Sequence, residues 1–286
     1  MRYLIWAYDY SWRSGGIIAL HRLGQLLAQY APVFLISNKT TEGSHAQCVT
    51  MQNAQTLAVM PDTVVIYPDV VPANPLEAKW VVRWVMYYVG KHEIGDKEYA
   101  SNELVIAYQP QFVANTKHDG APVVTIVDSQ RDLFTDMGKK RNKTGVLMRK
   151  AAKQGQVNLH YLEHNRQYIT NPIWLLDKRL EQRTSFKEWN YDLNKCDLFI
   201  TFDVTTYHAV MAAMAGCRVV VVPSEKYTSE QFHAQALMRN GIAYGFEELD
   251  YAQQTKHLLT SDVETLEQNN RMQAEQFHNI VTKHYL

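Results

Sequence analysis

The sequence predicts an α/β protein made of two doubly wound halves, and three observations carry that expectation. Short β-branched or aromatic runs stand apart, each bounded by turn residues: Tyr3–Tyr8, Val33–Ile36, Thr63–Tyr67, Leu104–Ala107, Val123–Val127, Gly145–Met148, Asp197–Phe202 and Arg218–Val222. They are continuously apolar rather than alternating, as strands covered on both faces are, and so predict parallel sheets between helices. Stretches of helical period lie between many of them, the signature of α/β units. The chain's 286 residues, at roughly 100–200 residues per domain, give two domains.

The first strand, Tyr3–Tyr8, ends in Asp9-Tyr10-Ser11-Trp12-Arg13-Ser14-Gly15-Gly16, and a helix with Ile17, Leu20, Leu23 and Leu27 on one face follows at once. Leu76, Trp80, Trp84 and Tyr88 also share a helical face, which makes Trp80 and Trp84 core residues of a helix. Between Val127 and Gly145 the period is lost and charge accumulates. The seam is expected there, dividing the chain into residues 1–135 and 136–286. A second strand-helix series runs from Gly145 to Val222. Beyond it only helices are expected, over Ser229–Arg239, Glu247–Leu259 and Asp262–Lys283, the last either crossing back to the first domain or staying with the second.

Composition narrows the function classes. Hydrophobic residues at 46% and charged residues at 20% are ordinary for a globular chain and exclude a disordered one. Lys+Arg and Asp+Glu both number 29, which argues against a nucleic-acid partner. Cys48, Cys196 and Cys217 are too few and scattered for a disulfide framework or a zinc site. The chain has no H-E-x-x-H among its eleven histidines, so no metal is expected. No apolar run reaches the ~18–20 residues of a membrane span, and the first residues read as a strand rather than a signal peptide; the expectation is a soluble, cytoplasmic protein.

Two turns carry candidate chemistry. A glycine pair at a helix N-terminus lets amides approach an anion where the helix dipole favours negative charge, although Gly15 and Gly16 also suit a plain tight turn. Neither G-x-G-x-x-G nor G-x-x-x-x-G-K-[ST] is present. In Cys196–Pro223 a buried strand ends at Phe202, and Asp203, Thr205 and Thr206 form a polar turn before a helix of small residues that stops at Gly216. Ligands of open α/β sheets bind at such strand ends; helix capping is the other reading, and both can hold together.

Between Lys139 and Lys153 stand seven Lys/Arg (Lys139, Lys140, Arg141, Lys143, Arg149, Lys150, Lys153) and no Asp or Glu. Lys139–Lys143 read as a solvated linker face; docking on anionic lipid is the other use such a run suggests. The candidates for a general base are Asp9, His21, Asp69 and Glu93, with Asp9 best placed beside the Gly-Gly turn. Tyr10 and Trp12 are the aromatics expected to reach a cleft.

The Gly15-Gly16 turn, the strand-turn-helix at Asp197–Pro223 and the phrase M-A-A-M-A-G-C-R-V-V-V-V-P within it resemble GT-B-type glycosyltransferases, whose E-A-M-A-x-G-x-P-V-V it parallels. Tyr67–Trp84 and Gly241–Phe246 look like segments of glycan-biosynthesis proteins. The resemblance implies two Rossmann-like domains and metal-independent transfer of a hexose in bacterial polysaccharide assembly. The nucleoside-diphosphate sugar is the donor substrate and no other cofactor is used. A glycan or lipid-linked oligosaccharide is the acceptor, membrane association is at most peripheral, and the site lies between the domains. It places Arg149, Lys150, Lys153, Asp203, Thr205 and Thr206 on the donor with Gly15 and Gly16, and leaves Asp9 as the acceptor-side base. One departure stands out. Where relatives carry two glutamates eight positions apart, this chain aligned on Gly216 has Asp203 and Met211, and a methionine cannot accept a ribose hydrogen bond. A non-catalytic binding protein on this fold and a nucleotide-sugar epimerase are the alternatives.

Overall fold

A computed structural model describes residues 1–39, 46–90, 99–153, 155–225, 227–235 and 237–286. The chain forms two compact units: Met1–Asp128 with Leu266–Leu286, and Ser129–Thr265. The protein is α/β, with two parallel sheets of six and five strands and a C-terminal helix.

Unit 1 contains β1 (Arg2–Ile5), α1 (Gly15–Leu27), β2 (Val33–Ile36), β3 (Gln47–Val49), α2 (Met51–Ala58), β4 (Thr63–Pro68), β5 (Trp80–Val85) and β6 (Leu104–Ala107). The sheet order is β3-β2-β1-β4-β5-β6, all parallel, so the direction of winding reverses between β1 and β4. Unbroken apolar runs follow from two-sided burial: Ile5, Val64 and Ile66 pack into a core with helix α1, while Leu4, Val65 and Tyr67 pack into another with α2.

Unit 2 contains β7 (Lys143–Leu147), α3 (Arg149–Lys153), α4 (Leu159–His164), β8 (Ile173–Leu175), α5 (Asp177–Gln182), α6 (Phe186–Leu193), β9 (Cys196–Thr201), α7 (Tyr207–Met214), β10 (Arg218–Val221), α8 (Ser229–His233) and β11 (Ala243–Tyr244). Its parallel order, β11-β10-β9-β7-β8, reverses between β7 and β9. The chain then runs through α9 (Leu249–Gln268) into α10 (Asn270–Tyr285), which returns Ala274, Phe277 and Val281 to the core of unit 1. Each fully buried large side chain of this kind contributes about 1.5–3 kcal/mol.

Several expectations from the sequence are corrected. Trp80–Val85 is strand β5, not part of a helix. A spacing of four satisfies both the helical and the strand period, and here Trp80 and Trp84 share one face of a strand buried on both sides. Both remain core residues, with the Trp84 indole donating to the Val124 carbonyl at 3.1 Å. Val123–Val127 makes only one isolated bridge, Val123 to Ala107. The Val124 amide donates to the Ala107 carbonyl at 2.9 Å, but two others are taken by side chains of α10: Thr125 by Gln273 and Val127 by Asn270, both at 2.9 Å. The region after Val222 is not helical throughout, since β11 adds to the sheet. The expected helix Ser229–Arg239 stops at His233, and the last two helices meet at Asn269.

Unit 1 also holds a buried ion pair that the sequence does not announce. The Arg83 guanidinium on β5 donates to both Glu103 oxygens, at 2.8 and 3.1 Å, and to the carbonyls of Val71 and Ala73. It lies over the rings of Tyr67 and Tyr99. The loop after β4 is thus pinned to the sheet.

Lys139–Lys143 do not form a uniform solvated face. Arg141 donates to the carbonyls of Cys196 (2.9 Å) and Ala215 (2.6 Å) and pairs with Asp136 at 2.9 Å. Lys256 donates to Gly216 and Cys217 carbonyls at 2.8 and 3.1 Å. Two cations therefore close the C-terminal end of α7, where the helix dipole is negative. Gly216 sits there at φ +99°, and a Cβ would collide with Arg141 and Asp136. That position requires glycine. Among the described residues no helix is long and apolar enough to cross a membrane.

Candidate functional site

In open parallel sheets, ligands bind beyond the carboxyl ends of the strands where winding reverses. Each unit has one such place.

In unit 1 it is the end of β1. Ser14 caps α1, its hydroxyl accepting from the Ile17 amide at 3.4 Å. Gly15 and Gly16 open the helix at ordinary negative φ. A Cβ on Gly15 would meet nothing within 4 Å, and one on Gly16 would only touch Met86 at 3.4 Å. Neither conformation nor crowding calls for these glycines; what they provide is bare backbone at the positive end of a helix. Among the described residues no acceptor takes the Gly15 or Gly16 amide.

The rest of this turn is tied down. The Asp9 carboxylate accepts from the Asn38 amide at 2.6 Å and the Asn38 side chain at 3.2 Å. These bonds, the backbone one foremost, hold its pKa below the usual carboxylate range, so it stays ionised and is a weak base. His21 is buried on α1 with Nε2 3.0 Å from the Tyr8 carbonyl, which fixes the turn where Tyr8 adopts φ +57°. Burial lowers the His21 pKa and keeps the ring neutral. Asp69, just after β4, accepts from the Met86 amide at 2.8 Å. Tyr10 and Trp12 are half-buried, Tyr10 edge-on to His21. Glu93 lies outside the described residues.

In unit 2 the corresponding place is the end of β7 and β9. Two carboxylates cover the start of α3. Asp177 accepts from the amides of Arg149 at 2.7 Å and Met148 at 3.1 Å. Asp203 accepts from Ala151 at 2.7 Å and Lys150 at 3.3 Å. Asp203 is buried, which raises its pKa, while the two amides pull it back down. It therefore caps a helix on the neighbouring strand rather than its own. α7 is capped by Thr206, whose hydroxyl accepts from the His208 amide at 3.4 Å.

Arg149 reaches across the same end of the sheet to His208, Nη1 to Nε2 at 2.9 Å. Burial first, then the charges of Arg149 and Lys150, lower the His208 pKa to about 3. Thr205 and Thr206 are half-buried, whereas Lys150 and Lys153 are exposed. Met211 is buried inside α7 and presents nothing to a ligand.

The strand ends of unit 2 thus gather Arg149, Lys150, Asp203, Thr205 and Thr206, with Lys153 at the far end of α3; Asp9, Gly15 and Gly16 belong to the β1-to-α1 connection of unit 1, where Asp9 is bonded to Asn38. Sequence reasoning passed over Asp177 and His208. Asp177 does follow an apolar run, Ile173–Leu176, as a helix-starting acid would. No group of three or more His, Cys, Asp or Glu among the described residues is placed to hold a metal ion. Cations and hydroxyls at a strand end make a recognition surface for an anion. No known family model matches the chain, and no curated protein matches it in sequence.

Proposed function

We propose that the protein is a GT-B-type glycosyltransferase with two Rossmann-like domains, binding a nucleoside-diphosphate sugar at the β7/β9 end of unit 2. The observation that carries this reading is the reversal of strand order between β7 and β9, with Arg149, Lys150, Thr205 and Thr206 gathered at the strand ends there. Both sheet orders are those in which nucleotides bind at a reversal point. In the reaction the bond from the sugar's anomeric carbon to the diphosphate oxygen breaks and a bond to an acceptor hydroxyl forms. The leaving diphosphate gains charge, which Arg149, Lys150 and Lys153 are chosen to meet; a hydrogen bond to a charged group is worth about 1.5–3 kcal/mol.

On this reading Asp9, although its bonds to Asn38 make it a weak base, is the group that takes the acceptor proton, and Gly15 and Gly16 offer their amides to an anionic group. The acceptor is a glycan or a lipid-linked oligosaccharide, and the enzyme works in the cytoplasm, where its donor is made. Asp203 acts through α3, whose amides it holds.

Two observations favour a second reading, a non-catalytic binding protein. The opening amides of α3 are already satisfied by Asp177 and Asp203, and the buried Met211 stands where relatives offer ribose a carboxylate.

Thermal unfolding against a panel of nucleoside diphosphates and their sugars separates the two. A ligand at a hundred times its dissociation constant adds about 2.7 kcal/mol of stability. The glycosyltransferase reading expects a shift for one nucleotide series, lost in Arg149→Ala, and sugar transfer from that donor. No shift with any nucleotide sinks the donor site; a shift without transfer leaves the binding protein.

A further inference from the structure

We infer that His208 is a positioning residue that aims the guanidinium of Arg149 at the bound diphosphate; this rests on the reading of the β7/β9 end as a diphosphate site.

Arginine only donates, so the 2.9 Å contact makes His208 Nε2 the acceptor and places the ring proton on Nδ1. That Nδ1–H is buried and has no hydrogen-bond partner among the described residues. An apolar side chain of similar size would fill this place in the core without stranding a donor. The feature that distinguishes imidazole here is the lone pair it turns to Arg149.

The ring is well held for that task. His208 lies in the first turn of α7, fixed by the Thr206 cap, and packs edge-on against Trp189 of α6 with ring centroids 5.6 Å apart. Only 5% of His208 is exposed, so it has no solvent-facing alternative. Arg149, by contrast, is a long side chain at the start of a five-residue helix. Tethering it to a rigid neutral ring fixes its direction without cancelling its charge. The neutral ring itself adds no negative charge beside the guanidinium.

The test uses inorganic pyrophosphate as probe, titrated by calorimetry into the full-length wild type, Arg149→Ala, His208→Leu and His208→Gln, with thermal midpoints confirming folded protein. Glutamine is chosen because its side-chain oxygen can accept from Arg149. The expected result is an affinity about tenfold weaker in His208→Leu, restored to near wild type in His208→Gln. Should His208→Leu not fold, the side-chain nitrogen resonances of His208 in the wild type decide. They are expected to report an unprotonated Nε2 that shifts when pyrophosphate is added, and an unmoved Nε2 overturns the inference. Binding lost in Arg149→Ala but unchanged in His208→Leu overturns the inference alone and leaves the anion site. Wild type that binds no pyrophosphate, or Arg149→Ala that binds as well as wild type, overturns the site and the inference together.

Discussion

The turn after β1 and the turn after β7 occupy the same topological place in their sheets, yet they treat their backbone in opposite ways. After β1, Gly15 and Gly16 leave the helix start bare, and only Ile17 is satisfied by the Ser14 cap. After β7, Asp177 and Asp203 fill every opening amide from Met148 to Ala151. The first turn can meet an anion with main chain, whose partial charge is fixed. The second must meet one with side chains, whose direction and charge depend on their neighbours. One strand-to-helix plan therefore leaves two kinds of surface, bare main chain or side chains, and the choice lies in whether the chain spends its own carboxylates on the helix.

The largest effect should come from exposing the second turn. Asp203→Ala leaves the Ala151 amide buried without an acceptor and strips the Lys150 amide of its partner, and is expected to destabilise the protein by about 2–3 kcal/mol in urea unfolding. Asp203→Asn, which keeps an acceptor, should lose less. If Asp203→Ala were neutral, the two turns would not differ as described.

Smaller for each pH unit, though it accumulates, is a slope with pH. His208 is neutral in the fold, with its pKa near 3, and regains an ordinary value near 6.5 when unfolded. Below that ordinary value the unfolded chain takes up a proton that the folded chain refuses. The stability His208 preserves above pH 6.5 is therefore lost as pH falls toward 3, by about 1.4 kcal/mol per pH unit. Subtracting His208→Gln from wild type at each pH isolates this slope. Equal pH profiles for the two proteins would mean a His208 that titrates normally.

The smallest effect sharpens the first turn. Gly15 has helical φ and room for a methyl group, so Gly15→Ala should stabilise the fold by about 0.4–1 kcal/mol. If the bare backbone receives an anion, the same variant weakens anion binding while it strengthens the fold. A gain in stability with unchanged binding would make Gly15 a plain turn residue.

Long elements with two-sided burial were legible in the sequence, and those fixed by distant partners were not. β4, β9 and β10 follow from their apolar runs, and α1 from its face of Leu20, Leu23 and Leu27. β5 was hidden because tryptophans four apart fit two periods at once. β3, β8 and β11 are only two or three residues long, too short for any period to register. Val123–Val127 has a strand's composition, but Gln273 and Asn270, far along the chain, take the amides of Thr125 and Val127. The candidate site divides in the same way. That Asp203 belongs to a polar turn at a strand end could be read locally. Its service to α3 could not, because the amides it holds lie some fifty residues earlier, nor could the pairing of Arg149 with His208.

The return of α10 to unit 1 has a consequence for the order of synthesis. A chain emerging from its N-terminus delivers all six strands of unit 1 before Asn270, Phe277 and Val281 exist to complete that core. Unit 2, contiguous from Ser129 to Thr265, has all its residues first. The half made earlier is thus the half finished later. Until its last helix arrives, the bare backbone of its first turn belongs to a core still open to water and to any chaperone that binds exposed apolar surface.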